Sequence, residues 1–124
     1  MAEAKFELAD KAEALYFSIF DITTNRKHYP VKFQRLSTRL QDYALDIHSN
    51  TLGANSYRTE IPEQKAKRIE HQTNVITTCN KMLSLVKYSL SAHLISFATS
   101  EKWVSLTHDI KNITLAWRKN TNGS

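Results

Sequence analysis

The chain has 124 residues, of which 41% are hydrophobic, and its 17 basic and 12 acidic side chains give a formal net charge of +5. This length suits one domain with a single core, and with only 2 Gly and 2 Pro a mainly β fold, rich in turns, is disfavoured. The lone cysteine, Cys79, excludes an intramolecular disulfide. Because no signal-peptide pattern and no apolar run of membrane-spanning length occurs, we expect a cytoplasmic protein that does not contact a membrane.

The charge is unevenly distributed along the chain. Residues 1–24 carry two basic and five acidic side chains, whereas the remaining residues carry 15 basic and 7 acidic side chains. A strongly basic body attracts polyanions, and the acidic first segment also suits self-association of unlike faces. The alternative interpretation is that these are ordinary solvated charges that keep the protein soluble.

The first predicted helix covers about residues 4–24. Its apolar side chains recur at spacings of three and four, and they are Leu8, Ala12, Leu15, Tyr16, Ile19 and Ile22. Phe17 and Phe20 widen this apolar surface beyond what a core stripe needs, which indicates a contact between subunits.

The second helix is predicted over about residues 31–54, after a basic turn at residues 25–29. Pro30 stands at the helix entry, where its missing N–H costs little. The predicted buried face consists of Phe33, Leu36, Leu40, Tyr43, Ala44, Ile47 and Thr51. Lys32, Arg35 and Arg39 lie one step around the helix from that face and should therefore flank the core.

Two further helices complete the prediction. Pro62 opens a helix of about residues 62–91 with two neighbouring apolar stripes, one through Ala66, Ile69, Thr73, Ile76, Asn80 and Leu83 and one through Val75, Cys79, Met82 and Val86. Ser100 is the predicted N-cap of a helix of about residues 100–118, whose core seam is Trp103, Leu106, Ile110, Ile113 and Trp117. Short connections between long amphipathic helices predict an all-α fold, an antiparallel up-down-up-down four-helix bundle covering residues 1–124.

Three segments carry a resemblance to a known family. They are RKHYP at residues 26–30, LSTRLQDYALDI at residues 36–47 closing with LGAN at residues 52–55, and WVSLTHDIKNITLAWRK at residues 103–119. Over about residues 12–119 the chain resembles the Avd-like four-helix bundle family. That family takes its name from the accessory variability determinant of diversity-generating retroelements and is related to bundle proteins encoded in intervening sequences of bacterial 23S rRNA genes.

The resemblance implies a non-enzymatic protein that assembles into a homopentameric ring. It also implies partners, namely a reverse transcriptase and its template RNA or RNA/DNA, which engage positive surfaces of the ring. An RNA-binding bundle of the rRNA intervening-sequence type is the alternative. The third possible function is that of a protein-interaction adaptor unconnected to reverse transcription. In that case the acidic first helix would dock a basic partner.

The basic residues themselves indicate nucleic-acid binding. The candidate contacts are Arg26, Lys27, Lys32, Arg35 and Arg39 around the second helix's start, and Lys65, Lys67 and Arg68 at the third helix's start. Arginine offers forked donors to phosphate, the helix N-terminus favours anions, and His28 or Tyr29 could stack on an unpaired base.

Catalysis is not favoured by the sequence. No Glu has a His three residues later, as di-iron bundles require, and the five histidines have no ligand-like spacing. We therefore expect no enzyme activity, no metal and no cofactor. The same heptad register that places Trp103 and Trp117 in the fourth helix's seam favours core packing of both rings over base stacking.

Overall fold

The computed structural model describes residues 2–124, with side chains described from Glu7 onward. Residues 2–124 form four α-helices and no β-strand: α1 (Ala2–Thr23), α2 (Gln34–Asn55), α3 (Pro62–Ser91) and α4 (Phe97–Asn122). A short 3-10 helix, Val31–Phe33, leads into α2. The all-helical prediction is confirmed. Glu3 and Lys5, which were counted in the acidic first segment, lie outside the residues whose side chains are described.

The four helices enclose one shared core. α1 packs on α2 and α4, and α3 also packs on α2 and α4. Buried apolar side chains from all four helices meet in a single cluster, which includes Leu15, Leu40, Met82 and Trp103. Burial of both predicted core tryptophans, Trp103 and Trp117, is confirmed.

The buried stripe of α2 lies slightly around the helix from the predicted one. Its members are Ser37, Leu40, Ala44, Ile47, Thr51 and Ala54. Phe33, Leu36 and Tyr43 are only half-buried and pack against the edge of the core. This edge position leaves three apolar side chains within reach of the surface.

In α3 the core is formed by the second of the two predicted stripes. Val75, Cys79, Met82 and Val86 are fully buried. The stripe that begins at Ala66 lies mainly at the helix flank, where its members are exposed or half-buried, apart from Ile76.

The start of α4 differs from the prediction. Ser96 rather than Ser100 is the N-cap: it has an extended backbone, and its Oγ accepts the N–H of Thr99 at 3.1 Å. The helix therefore begins at Phe97. Its core stripe alternates aromatic or aliphatic residues with threonines, as Trp103, Thr107, Ile110, Thr114, Trp117 and Thr121.

Those buried threonines add no unsatisfied hydroxyls to the core. Thr107, Thr114 and Thr121 each donate to the backbone carbonyl four residues earlier, at 2.7 to 3.0 Å. A hydroxyl bonded in this way leaves the methyl group to pack, so threonine here takes the place of an apolar residue. The helix also continues to Asn122, beyond the predicted end at about residue 118.

None of the helices within residues 2–124 is apolar over a long enough stretch to cross a lipid bilayer.

Candidate nucleic-acid interface

A groove of about 450 Å³ lies between the beginning of α2 and the end of α3. It is lined by Lys32, Phe33, Arg35, Leu36, Arg39, Tyr43, Leu85 and Tyr88, and we call it the α2–α3 groove. Leu36, Tyr43 and Leu85 are half-buried and pack against the core, so they form its floor. Lys32, Arg35 and Arg39 are exposed and form its rim.

The position of the rim follows from the register of α2. Arg35 and Arg39 are one turn apart in α2, and Lys32 lies in the 3-10 helix that leads into it. Each of the three immediately precedes a half-buried or buried residue, namely Phe33, Leu36 and Leu40. A side chain there is held beside the core without entering it. The three predicted contacts Lys32, Arg35 and Arg39 are therefore brought together along one edge of the groove.

The cations of this region contact its aromatic rings. Lys32 Nζ lies 5.3 Å from the centre of the Phe33 ring, and Lys81 Nζ lies 6.0 Å from the centre of the Tyr43 ring. Arg39 Nη1 donates to Tyr43 Oη at 3.3 Å. Lys32 and Arg39 thus lie against aromatic rings that line the groove, and the described residues that line it include no carboxylate to neutralise them.

Arg26 and Lys27 are exposed in the turn before α2. Arg26 Nη1 donates to the Oε1 of Gln34, the first residue of α2, at 2.8 Å. The backbone N–H of Lys27 donates to Asn25 Oδ1 at 2.9 Å, which shapes the turn. Arg26 therefore extends the positive region from the rim of the groove towards the turn.

Tyr29 does not have the surface position that base stacking would require. Its ring is 1% exposed and belongs to the hydrophobic core. Burial raises the pKa of the Tyr29 phenol, an effect that the Ser89 hydroxyl partly opposes. The aromatic residue before Pro30 thus anchors the basic turn to the core, while His28 beside it is exposed.

The second predicted cluster, at the start of α3, is arranged differently. Lys67 is exposed, and Lys65 Nζ donates to the carbonyl oxygen of Ser124 at 2.7 Å. Arg68 is only 9% exposed. The prediction that Arg68 extends a surface patch therefore needs correction, because its side chain points into the bundle.

The Arg68 guanidinium has specific partners there. Its Nε donates to the Tyr57 carbonyl oxygen at 2.9 Å, and its Nη2 donates to the same oxygen. The guanidinium carbon lies 5.6 Å from the centre of the Trp117 ring. Burial lowers the pKa of Arg68, and the nearby Glu60 carboxylate partly opposes that effect. Arg68 thus ties the α2–α3 connection to α4.

The same end of the bundle is closely packed around His71. Its Nδ1 lies 2.8 Å from Asn50 Oδ1, and its ring stacks on Tyr57 with centres 5.7 Å apart. The ring also lies against Gly53, where an added Cβ would come within 3.0 Å of it. We call the cluster of Gly53, Tyr57, Arg68, His71 and Trp117 the α2–α3 junction.

Sequence reasoning missed the α3 side of the groove. Tyr88 is 65% exposed and Leu85 half-buried, and both line it. Register indicates that Tyr88, two residues after the core residue Val86, lies off the buried stripe, but it does not indicate that Tyr88 lies beside α2. Together, Leu85 and Tyr88 add an apolar surface to the α3 side of the groove.

No described group of three or more His, Cys, Asp or Glu side chains could hold a metal ion. Cys79 is fully buried, and burial raises the pKa of its thiol to about 12, an effect that Lys111 partly opposes. A thiol held neutral in this way is a poor nucleophile.

Comparisons with protein-family models, with curated proteins and with solved structures found no match to this chain. The resemblance to the Avd-like family stands on the three sequence segments described above. One of them, residues 36–47, supplies Leu36, Arg39 and Tyr43 to the α2–α3 groove.

Proposed function

We propose that this protein is a non-enzymatic RNA-binding protein whose α2–α3 groove holds the phosphate backbone, and that it serves as an accessory to a reverse transcriptase. The observation that carries the proposal is the groove itself. It collects Lys32, Arg35 and Arg39 on one edge, beside aromatic rings and without a carboxylate among its described lining residues. Arginine and lysine held in this way neutralise phosphates and release their counterions.

The reverse-transcriptase partner is what the Avd-like resemblance implies. The resembling segment at residues 36–47 contains part of the groove, so the groove residues and the family likeness coincide in the chain. An RNA-binding bundle of the rRNA intervening-sequence type would use the same groove without a polymerase. Co-purification with a reverse transcriptase encoded beside the gene would support the accessory function. RNA binding without such a complex would support the function of an RNA-binding bundle of the rRNA intervening-sequence type.

An antiparallel up-down-up-down arrangement is the topology that we propose for the bundle. Lys11 Nζ donates to Asp109 Oδ2 at 3.2 Å, and Trp103 Nε1 donates to Ser18 Oγ at 2.9 Å. The later residue of α1 thus contacts the earlier residue of α4, as expected for helices that run in opposite directions. The short connections between successive helices favour the same arrangement.

A homopentameric ring is the proposed assembly. Phe17 and Phe20 on α1 are both exposed, and each packs only against its neighbour Tyr16 among the described ring contacts. Exposed aromatic pairs of this kind are typical of subunit interfaces. Light scattering should give about five times the 14.3 kDa chain mass, and Phe17→Ser with Phe20→Ser should lower it. A monomeric mass for the unmodified protein contradicts the ring.

Charge reversal tests RNA binding directly. The groove variant combines Lys32→Glu, Arg35→Glu and Arg39→Glu. The control variant combines Lys65→Glu, Lys67→Glu and Lys119→Glu, which changes the net charge by the same amount at positions outside the groove. Fluorescence anisotropy with a labelled, unstructured oligoribonucleotide reports the affinity, and circular dichroism reports the helix content of both variants.

We expect the groove variant to bind about a hundredfold more weakly, because three phosphate contacts become repulsive. The control variant should lose only the small contribution of overall charge. Equal losses in the two variants would show that net charge, and not the groove, determines binding. Salt-independent binding to a protein partner, with no RNA affinity in the unmodified chain, would instead favour the adaptor function.

A further inference from the structure

The floor of the α2–α3 groove is apolar, and this bears on which form of RNA the groove accepts. Leu36 and Leu85 are half-buried beneath the rim, and Phe33, Tyr43 and Tyr88 contribute aromatic rings. A phosphate gains nothing from contact with such a floor, because a charge loses hydration there without a compensating partner. The groove therefore offers a place for a planar, uncharged part of the ligand beside the cations that take its phosphates.

The dimensions of the rim point to a short stretch of one strand. Lys32 in the short 3-10 helix and Arg39 in α2 are seven positions apart, which corresponds to about 11 Å at about 2.0 Å per residue in the first and 1.5 Å per residue in the second. A stacked strand rises about 3.4 Å per nucleotide along its axis, and its successive phosphates are farther apart than this because they wind around the axis. The rim therefore spans two or three nucleotides. A double-stranded-RNA-binding domain by contrast makes contacts across about 16 base pairs.

A base inside a duplex cannot use the groove floor, because its two faces are stacked and its pairing edge is occupied. An unpaired base presents a free aromatic face, and stacking on a protein ring is tolerant of base identity. Tyr88, at 65% exposure, is the most accessible ring of the groove. Tyr43 is held in place by the hydrogen bond from Arg39 and by Lys81 over its ring.

We propose that the α2–α3 groove is selective for single-stranded RNA: an unpaired base stacks on Tyr88 above the apolar floor while Lys32, Arg35 and Arg39 hold the flanking phosphates. This inference rests on the proposed function, since it requires that the groove binds RNA. It adds a substrate class, single-stranded over double-stranded, and a residue, Tyr88, that neither the sequence nor the charge pattern selects.

The test compares Tyr88→Ala with Tyr88→Phe and with a matched control, Phe97→Ala. Phe97 is 67% exposed on α4 and lies outside the groove, so Phe97→Ala removes an aromatic ring of similar exposure from a different surface. The probes are oligoadenylate, the same oligomer with abasic positions, the oligoadenylate–oligouridylate duplex, and inorganic polyphosphate of equal charge. Thermal unfolding of each variant checks that the fold is retained, as expected for exposed positions.

For oligoadenylate we expect Tyr88→Ala to weaken binding by between about fivefold and a hundredfold, the range seen when one stacking ring is removed. Tyr88→Phe should restore the affinity because it keeps the ring, and Phe97→Ala should bind like the unmodified protein. The salt dependence of Tyr88→Ala should be unchanged, because no phosphate contact is lost. The abasic oligomer, the duplex and polyphosphate should all bind more weakly than oligoadenylate.

Two separate failures can be distinguished. If the duplex or polyphosphate binds as tightly as oligoadenylate, or if Tyr88→Ala binds normally, the single-strand inference is overturned. The RNA-binding proposal survives that result as long as the groove charge-reversal variant still loses affinity. If the charge-reversal variant keeps its affinity, the groove is not the RNA site and both proposals are wrong.

Discussion

The two basic clusters at the beginnings of α2 and α3 both contain lysine and arginine, but they differ in their surroundings. Around the α2–α3 groove, Lys32, Arg35 and Arg39 are exposed over an apolar floor. At the α2–α3 junction, Arg68 is buried against Trp117 and bonded to a backbone carbonyl. The first arrangement leaves its charges available for a ligand, whereas in the second the charge of Arg68 stabilises the fold.

Register relative to the core stripe explains this difference. Arg68 lies four residues before Gln72 and seven before Val75, both of which are fully buried, so it occupies a core position of α3. Lys32, Arg35 and Arg39 are each offset from the buried positions Ser37, Leu40 and Ala44. For a basic residue near a helix start, its position relative to the buried stripe therefore indicates better than the local density of charge whether its side chain is available to a ligand.

The largest effect should come from the junction. Arg68→Ala removes a charged donor from the Tyr57 carbonyl and the packing against Trp117, so we expect a loss of about 3 kcal/mol in the free energy of unfolding. Its neighbour Lys67 is exposed, and Lys67→Ala should change stability by less than about 0.5 kcal/mol. Urea unfolding at one fixed protein concentration measures both. Equal stability of the two variants would contradict the structural role of Arg68.

The next largest effect is on the salt dependence of RNA affinity. For single strands, the logarithm of the affinity falls by about 0.7 per phosphate neutralised for each tenfold rise in salt, so three rim cations should give a slope of about −2, or about a hundredfold. Arg35→Gln should reduce the steepness of this slope by about 0.7, whereas Lys67→Gln should leave it unchanged. Anisotropy titrations at a series of KCl concentrations measure the slopes. A similar reduction in both variants would mean that the two clusters do not differ in RNA contact.

The smallest effect tests the packing of the junction. In Gly53→Ala the new methyl group would lie 3.0 to 3.2 Å from the His71 ring, which cannot easily move because it is held by Asn50 and Tyr57. We expect a net destabilisation of about 1 kcal/mol, since overpacking outweighs the better helix propensity of alanine.

A double-mutant cycle isolates that contact. In a His71→Ala background the space is open, and Gly53→Ala should then stabilise the protein by up to about 1 kcal/mol. The same sign of effect in both backgrounds would show that the His71 ring does not limit position 53. RNA affinity should be unaffected in all of these variants, because the junction lies outside the groove.

Helix periodicity predicted the number of helices and most of the core. The start of α3 coincides with the prediction because Pro62 marks its first residue unambiguously. The start of α4 was misplaced because Ser96 and Ser100 are both acceptable N-caps, and only the extended backbone at Ser96 decides between them. The threonines of the α4 core were missed because their burial depends on hydroxyl bonds to the backbone that hydropathy does not reveal.

The candidate site was predictable on the α2 side only. The period of Lys32, Arg35 and Arg39 placed them beside the core, and the structure shows them on one edge of a groove. The partner side, Leu85 and Tyr88, comes from α3, more than forty positions along the chain. Which residues of α3 face the flank of α2 depends on how the two helices pack, and the pattern within either helix does not contain that information.

Photo-crosslinking with a 4-thiouridine-containing single-stranded oligoribonucleotide, followed by peptide identification, tests the difference between the two clusters most directly. The account predicts cross-links to the groove segments, with Tyr88 the main site. These segments are residues 31–44, which cover the 3-10 helix and the first part of α2, and residues 85–91 of α3. Cross-links concentrated at residues 57–71 around the α2–α3 junction, with none in the groove, would contradict the assignment of the α2–α3 groove as the RNA site.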